Sequence, residues 1–172
     1  MIQKASQSSI KKPKTLLDST VSRLLERLQD EYAAYYFYKN ASNWCAEVGY
    51  LKAAAFFDTE SKNELEHADG LQKYMTDWNV YPTLPSIKPA LSFANLIDIV
   101  NKAYSIEYAL WVSYNDDSHA LFSSDLTTFD FLTKYREGQA QSVVEYSDLL
   151  DAAMLVNVEN NFEVLYYEQT YF

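Results

Sequence analysis

The sequence predicts an all-α protein: a four-helix bundle with a long crossover between helices 2 and 3 and a short C-terminal fifth helix. The 172 residues include only three glycines and four prolines, too few turn-forming residues to connect many short strands. Four long stretches repeat apolar residues at helical spacing. Between the second and third stretches, three prolines within residues 80–90 exclude a helix and leave a connection long enough to join two parallel helices.

The first two helices are predicted from about Leu16 to Cys45 and from about Leu51 to Trp78. Thr15, followed three residues later by Asp18, resembles a capping box at the start of the first helix. Gly49 interrupts the apolar pattern and separates the two helices. We therefore expect an antiparallel pair joined by a short turn.

The third and fourth helices follow the crossover. Ser92 is the predicted N-cap of the third helix. The polar residues 116–119 and 123–125 predict its end and a short turn, and Ser124 or Asp125 caps the fourth helix. Each of these two helices again carries one apolar stripe.

The domain organisation is simple, because no linker or shift in composition divides the chain. We expect residues 15–172 to form a single domain, preceded by a flexible basic tail over residues 1–14. Residues 162–172 are predicted as the short fifth helix. This segment is too apolar and aromatic to remain in water, so we expect it to dock on the bundle or on a neighbour.

Charge and cysteine content narrow the function classes. A net charge of −10 argues against nucleic acid and anionic membranes as partners, and it suits cations. No stretch approaches the length of a transmembrane helix, so we expect no membrane insertion. Cys45 is the only cysteine and is expected to pack rather than react, and the absence of an internal disulfide favours a reducing, cytoplasmic location.

Each long helix carries polar side chains on its apolar stripe near mid-length. Glu64 and His67 form a Glu-x-x-His pair, and three residues turn an α-helix by roughly 300°, so both leave one face. The corresponding residues of the other helices are Glu31, Glu107 and Gln139. Buried carboxylates without partners are costly and repel one another, so a divalent cation would satisfy all of them.

Two interpretations of this pattern are open from the residues alone. Oxygen-rich ligation with one imidazole suits iron, manganese or zinc, and two metal ions would share Glu64. Alternatively, the stripes are misphased and the glutamates lie at the surface with lysines. A single Glu-x-x-His is common in exposed helices, so the prediction depends on the four helices in combination.

The chain resembles the ferritins, specifically the bacterial haem-free kind, from about residue 16 to residue 172. The matching stretches are residues 31–38, 42–45, 54–57 leading to Glu64 and His67, Glu107, and residues 129–135 leading to Gln139. The resemblance implies a ferroxidase centre that oxidises Fe(II) with dioxygen or hydrogen peroxide. It also implies a shell of 24 subunits that stores the ferric mineral.

By position, the resemblance assigns one iron to Glu31, Glu64 and His67, and a second to Glu64 and Glu107. It places Gln139 beside them as a hydrogen-bonding group. These five residues are the expected iron-binding set.

Tyr38 completes the expected catalytic set. It lies seven residues after Glu31 and so faces the same way. The family has a tyrosine adjacent to the site at this position.

Departures from the family pattern refine the expectation. Residues 139–142 lack a second Glu-x-x-His, which disfavours bacterioferritin and with it haem. Asn63, Gly138 and residues 141–142 replace the extra glutamates of a third iron site, so that site is expected to be absent or weak. Phe129 and Leu132 align with the acidic channel by which iron normally enters, which leaves the path of iron open.

Two other functions remain possible on the sequence. A non-catalytic shell subunit would co-assemble with an active partner, but the retained ligand set speaks against it. Another di-metal oxidase or peroxidase of the same fold, of the rubrerythrin kind, would need a second Glu-x-x-His and cysteine pairs that this sequence lacks.

Overall fold

A computed structural model of the chain describes residues 16–88 and 92–172. Within these residues the chain forms helices and no strand, which confirms the all-α prediction. The helices are α1 (Asp18–Val48), α2 (Leu51–Asp77), α3 (Leu96–Phe122), α4 (Leu126–Ala153) and α5 (Asn161–Tyr171). The predicted basic tail, residues 1–14, lies outside the described residues.

The turn between α1 and α2 is built on a glycine. Gly49 adopts the left-handed conformation, with φ of 97°, and its N–H donates to the carbonyl oxygen of Cys45 at 3.0 Å. α1 therefore ends at Val48, three residues beyond the predicted end at Cys45. The side chain of Cys45 is fully buried, and burial raises the pKa of its thiol to about 12, which agrees with a packing role.

One of the predicted caps needs correction, and another lies outside the described residues. Asn95, not Ser92, caps α3: its side chain accepts a hydrogen bond from the N–H of Asp98 at 2.8 Å. The capping box at α1 rests on Thr15, which lies outside the described residues, and the N-cap residue Leu17 makes no side-chain cap. Asp125 is the cap of α4, as predicted.

α3 continues through residues 116–119, where the sequence predicted its end, and stops at Phe122. The reason is a tertiary contact. Asp117 is buried and pairs with Arg23 of α1 at 2.7 Å, and Arg27 lies 3.6 Å from its other carboxylate oxygen. A polar residue that appeared to mark a helix end is thus a buried ion-pair partner.

The order of contacts along the helices establishes the topology. Glu31 of α1 meets Tyr114 of α3, whereas Tyr38, farther along α1, meets Glu107 nearer the start of α3. α1 and α3 are therefore antiparallel. Since α1 and α2 form an antiparallel hairpin, α2 and α3 are parallel, as the predicted crossover requires. Of the connection between them, the structure describes residues 78–88 and 92–95.

The fifth helix docks on the bundle, as predicted. Glu168 is fully buried and accepts hydrogen bonds from the backbone N–H groups of Lys52 (2.7 Å) and Ala53 (3.1 Å). These donors belong to the first turn of α2, which has no partner for them within its own helix. The hydroxyl of Tyr167 also donates to the carbonyl oxygen of Leu149 at 2.7 Å.

The core is continuous and rich in aromatic rings. Leu132, which the sequence aligns with the acidic channel, is fully buried in this core. Phe129 lies half-buried beneath the guanidinium of Arg136, 5.5 Å from its ring centre. Among the described residues, no helix is long and apolar enough to cross a membrane.

Candidate metal centre

The structure brings the predicted polar residues together inside the bundle. Glu31, Glu64, Glu107 and Gln139 are buried, each at most 4% exposed, and they come from four different helices. The ring of His67 is partly exposed, with 39% of its side chain in contact with solvent. The interpretation in which the stripes are misphased is therefore wrong for these residues.

Two helices provide the most compact part of the site. Nδ1 of His67 lies 3.3 Å from Glu31 Oε2 and 3.2 Å from Glu64 Oε2. One ligand atom from each of these three residues lies within 4.8 Å of the others. Two carboxylate oxygens and an imidazole nitrogen at this separation fit the donor set of iron, manganese or zinc.

Glu107 and Gln139 form the opposite side of the site, from α3 and α4. Gln139 Nε2 donates to the Glu107 carbonyl oxygen at 3.1 Å and also to its carboxylate Oε2. The hydroxyl of Tyr38 donates to the other carboxylate oxygen, Oε1. Both oxygens of Glu107 are thus held by neutral donors, which fixes the orientation of the carboxylate.

Tyr114 is a site residue that sequence reasoning missed. Its hydroxyl donates to Glu31 Oε1, while Glu31 Oε2 faces His67. The sequence placed Tyr114 in the apolar stripe of α3. The available signal was spacing: Tyr114 follows Glu107 by seven residues, as Tyr38 follows Glu31.

Aromatic rings enclose the two tyrosines. Tyr38 stacks between Phe57, at 6.1 Å between ring centres, and Tyr146, at 5.9 Å. Tyr114 stacks on Tyr135 at 5.9 Å with an interplanar angle of 11°. The hydrogen-bond donors on opposite sides of the site are therefore held by packing and not only by their bonds.

Burial governs the acid–base state of the carboxylates. It raises the pKa of Glu64 well above its usual range, against the opposing hydrogen bond with His67. Burial also raises the pKa of Glu107 to about 7, although Tyr38 and Gln139 hydrogen-bond to its carboxylate. The interior of the bundle therefore favours the protonated form of Glu64 and brings the pKa of Glu107 close to neutral pH.

Glu31 and His67 behave in the opposite way. Burial opposes the ionisation of both, but it is outweighed by their contact. Hydrogen bonds with His67, Glu64 and Tyr114 lower the pKa of Glu31. Hydrogen bonds with Glu31 and Glu64 raise the pKa of His67 to about 10, which favours an imidazolium beside the Glu31 carboxylate. A bound cation would take over the role of these protons.

Glu60 is a second residue near the site that the sequence pattern did not indicate. It lies one turn before Glu64 on α2, and the hydroxyl of Tyr146 is 3.5 Å from its Oε2. Burial, followed by the nearby charge of Glu145, raises its pKa. Asn63, at one position of the absent third-site glutamates, donates to Glu60 Oε1 at 3.1 Å.

Known proteins share both the sequence pattern and the fold of this chain. The family model "Ferritin", described as a ferritin-like domain, matches residues 21–155. A bacterial non-haem ferritin of Campylobacter jejuni is 29% identical over 149 residues, covering 85% of this chain and 89% of the relative. A bacterial non-haem ferritin of Escherichia coli O157:H7 is 25% identical over 137 residues, covering 78% and 83%.

Solved structures share the fold. An open-pore ferritin from the archaeon Archaeoglobus fulgidus superposes with a TM-score of 0.83 at 14% identity, covering 91% of this chain and 97% of that chain. A ferritin of Chlorobium tepidum has a TM-score of 0.79 at 22% identity, covering 90% and 94%. At these identities the similarity concerns the fold alone.

Proposed function

This chain belongs to the ferritin family of iron-storage proteins, and we propose that it stores iron by oxidising Fe(II) at the site between its four long helices. The observation that carries the proposal is the buried cluster of Glu31, Glu64 and His67. These three potential ligands meet in the bundle interior and face Glu107. Apolar side chains at these positions would stabilise the fold at a lower desolvation cost, so stability alone does not explain the polar residues.

The proposed roles follow from position. Glu31, Glu64 and His67 bind the first Fe(II), and Glu64 bridges to a second that is held by Glu107. Gln139 and Tyr38 fix the Glu107 carboxylate through their hydrogen bonds. Carboxylates held in place by the fold stabilise Fe(III) more than Fe(II), because the electrostatic attraction grows with the charge of the cation.

The electron balance needs an external oxidant. Two Fe(II) ions that become Fe(III) release two electrons, which reduce dioxygen and two protons to hydrogen peroxide, or reduce hydrogen peroxide and two protons to two water molecules. The ferric product then leaves for storage. No haem is required at any step. The protein binds the two ions close together and excludes other ligands.

The surface of the α4–α5 end supports assembly into a larger particle. Large apolar side chains there are strongly exposed: Leu155 is 86% exposed, Phe162 75% and Tyr166 64%. Contiguous apolar surface of this kind is usually buried in an interface. We propose that this surface is buried between subunits in a shell of 24. We also propose a cytoplasmic location, because a single cysteine allows no internal disulfide and so favours a reducing compartment.

Rapid-mixing kinetics test the ferroxidase proposal. Anaerobic protein with about two Fe(II) per subunit is mixed with dioxygen, and the ferric absorbance is followed. We expect oxidation much faster than that of Fe(II) in buffer, and loss of this rate in Glu64→Ala. Glu66→Ala, which removes an exposed carboxylate two residues away, is the matched control. Oxidation no faster than in buffer would overturn the proposal.

Particle size tests the storage shell separately. In size-exclusion chromatography with light scattering, we expect a particle of roughly 24 times the 19.9 kDa subunit mass. A dimer or tetramer would contradict the shell while leaving the oxidation chemistry standing. A shell without rapid oxidation would instead identify a structural subunit.

A further inference from the structure

Gly70 leaves a notch in the C-terminal half of α2, three residues after His67. Glycine in a helix interior is less stable than alanine, so its presence calls for a reason. A Cβ atom at this position would collide with the hydroxyl oxygen of Tyr135, and would lie 3.5 Å from the ring carbon that carries it. The notch is therefore occupied by the end of the Tyr135 side chain.

Tyr135 has no freedom to swing out of the notch. Its ring stacks on Tyr114, meets the ring of Phe131 at 5.3 Å, and lies 4.8 Å beneath the ammonium of Lys134. The residue is 5% exposed. A side chain held on several sides cannot absorb a collision at its tip by rotating, so the collision would displace its neighbours.

Two side chains that Tyr135 contacts, His67 and Tyr114, belong to one half of the metal site. Tyr135 meets the ring of His67 edge to face, at 5.4 Å and 73°. It also contacts Glu31 indirectly: its ring stacks on Tyr114, whose hydroxyl donates a hydrogen bond to Glu31. The opposite half does not depend on this contact, because Glu107 is held by Tyr38 and Gln139.

We propose that Tyr135, seated in the notch at Gly70, is a positioning residue for the half of the site formed by Glu31, Glu64 and His67. It fixes the imidazole directly and Glu31 through Tyr114. The inference rests on the proposed function, since it assigns the residue a role toward the metal ion. It adds that the two halves of the site are supported independently.

The direct test is a rescue experiment. Gly70→Ala adds a methyl group that collides with the Tyr135 hydroxyl, whereas Tyr135→Phe removes that hydroxyl and leaves an ordinary van der Waals contact with the ring. We therefore expect Gly70→Ala to disturb the site and Gly70→Ala combined with Tyr135→Phe to restore it. Gly138→Ala is the matched control, because a Cβ there meets no atom within 4 Å.

Anaerobic Co(II) binding provides a readout that does not depend on turnover. Titrations followed by the visible Co(II) absorption report both affinity and coordination geometry. In Gly70→Ala we expect affinity at one of the two ions to fall by about tenfold or more, with a changed absorption band. The affinity of Gly70→Ala for the other ion should match that of the wild type within a few-fold. The same holds for both ions in Tyr135→Phe, Gly138→Ala and the double variant.

The outcomes separate the two proposals. Equal Co(II) binding by Gly70→Ala and the wild type, or a double variant no better than Gly70→Ala, would overturn the positioning role alone. Wild-type protein that binds no Co(II) would overturn the proposed function and this role with it. Should Gly70→Ala fail to fold by circular dichroism, Tyr135→Leu takes its place. That variant empties the notch, and wild-type Co(II) binding by it would equally refute the positioning role.

Discussion

Tyr114 donates a hydrogen bond to Glu31 across the contact between α3 and α1. The reciprocal bond runs from Tyr38 of α1 to Glu107 of α3. Because the two helices are antiparallel and both tyrosines lie seven residues after a glutamate, each helix supplies one carboxylate and the phenol that orients the other helix's carboxylate. The site is therefore braced by a nearly symmetric pair of bonds.

Tyr114→Phe should weaken the half of the site that contains Glu31. A hydrogen bond to a charged group contributes about 1.5–3 kcal/mol, so we expect metal affinity at this half to fall by roughly tenfold to a hundredfold. Isothermal titration with Zn(II) measures the change. Tyr38→Phe is the matched control and should weaken the ion beside Glu107 instead; identical effects of the two variants would contradict independent bracing.

Glu64→Gln should bind metal poorly without losing stability. The pKa of Glu64 is raised by burial, so the metal-free fold gains nothing from its charge. Wild-type protein should melt at a higher temperature when Zn(II) is present, because a ligand that binds only the folded state stabilises it. The variant should melt at or above the melting temperature of the metal-free wild type, and Zn(II) should not change that temperature. A Zn(II)-induced rise equal to that of the wild type would contradict the role of Glu64 as a ligand to both ions.

Glu168→Ala should loosen α5 from the bundle. The substitution leaves the N–H groups of Lys52 and Ala53 without their acceptor, which costs about 1–3 kcal/mol in the free energy of unfolding. Urea unfolding measures the loss, and hydrogen exchange of α5 locates it. Glu159→Ala, at an exposed glutamate outside the helices, is the control and should change little. Equal stability of the two variants would show that the cap is unimportant.

Alkaline pH should destabilise the fold through its buried phenols. Burial, followed by the charge of Glu31, raises the pKa of Tyr135 from 10.0 to about 12. Between these values the unfolded chain has lost the proton and the folded chain keeps it, so stability falls as pH rises through this window. The full shift of two pKa units corresponds to about 3 kcal/mol above pH 12, and to about half of that at pH 11.

The comparison of Tyr135→Phe with the wild type isolates this contribution. Urea unfolding at pH 8 and pH 11 should show a smaller alkaline loss in the variant, because phenylalanine does not titrate. Tyr146 and Tyr167, whose pKa values burial also raises, should keep part of the loss in both proteins. An alkaline loss that is the same in both would contradict the raised pKa of Tyr135.

The sequence was sufficient to predict the bundle and the three glutamates that it buries between its helices. Glu31, Glu64 and Glu107 each fall in phase with apolar neighbours, and a carboxylate in a buried stripe is conspicuous. Tyr114 was not conspicuous, since a tyrosine fits an apolar stripe without further explanation. Its role depends on α1 and α3 being antiparallel, which is a property of the fold.

Other misses also arose from contacts between helices. Asp117 predicted a helix end because polar residues usually mark one, and only Arg23 and Arg27 on α1 explain its burial. Gly70 was unremarkable in sequence, because the ring that fills its notch comes from α4, sixty-five residues away. Local pattern specifies which face of a helix is buried, but not which side chain of another helix lies against it.

The location of bound iron tests the central claim most directly. Crystals grown anaerobically with Fe(II) are measured above and below the iron absorption edge, and the anomalous difference density locates the ions. We predict two peaks on either side of the Glu64 carboxylate, one also contacting Glu31 and His67 and the other contacting Glu107. Iron found only at the protein surface, with none inside the bundle, would contradict the account.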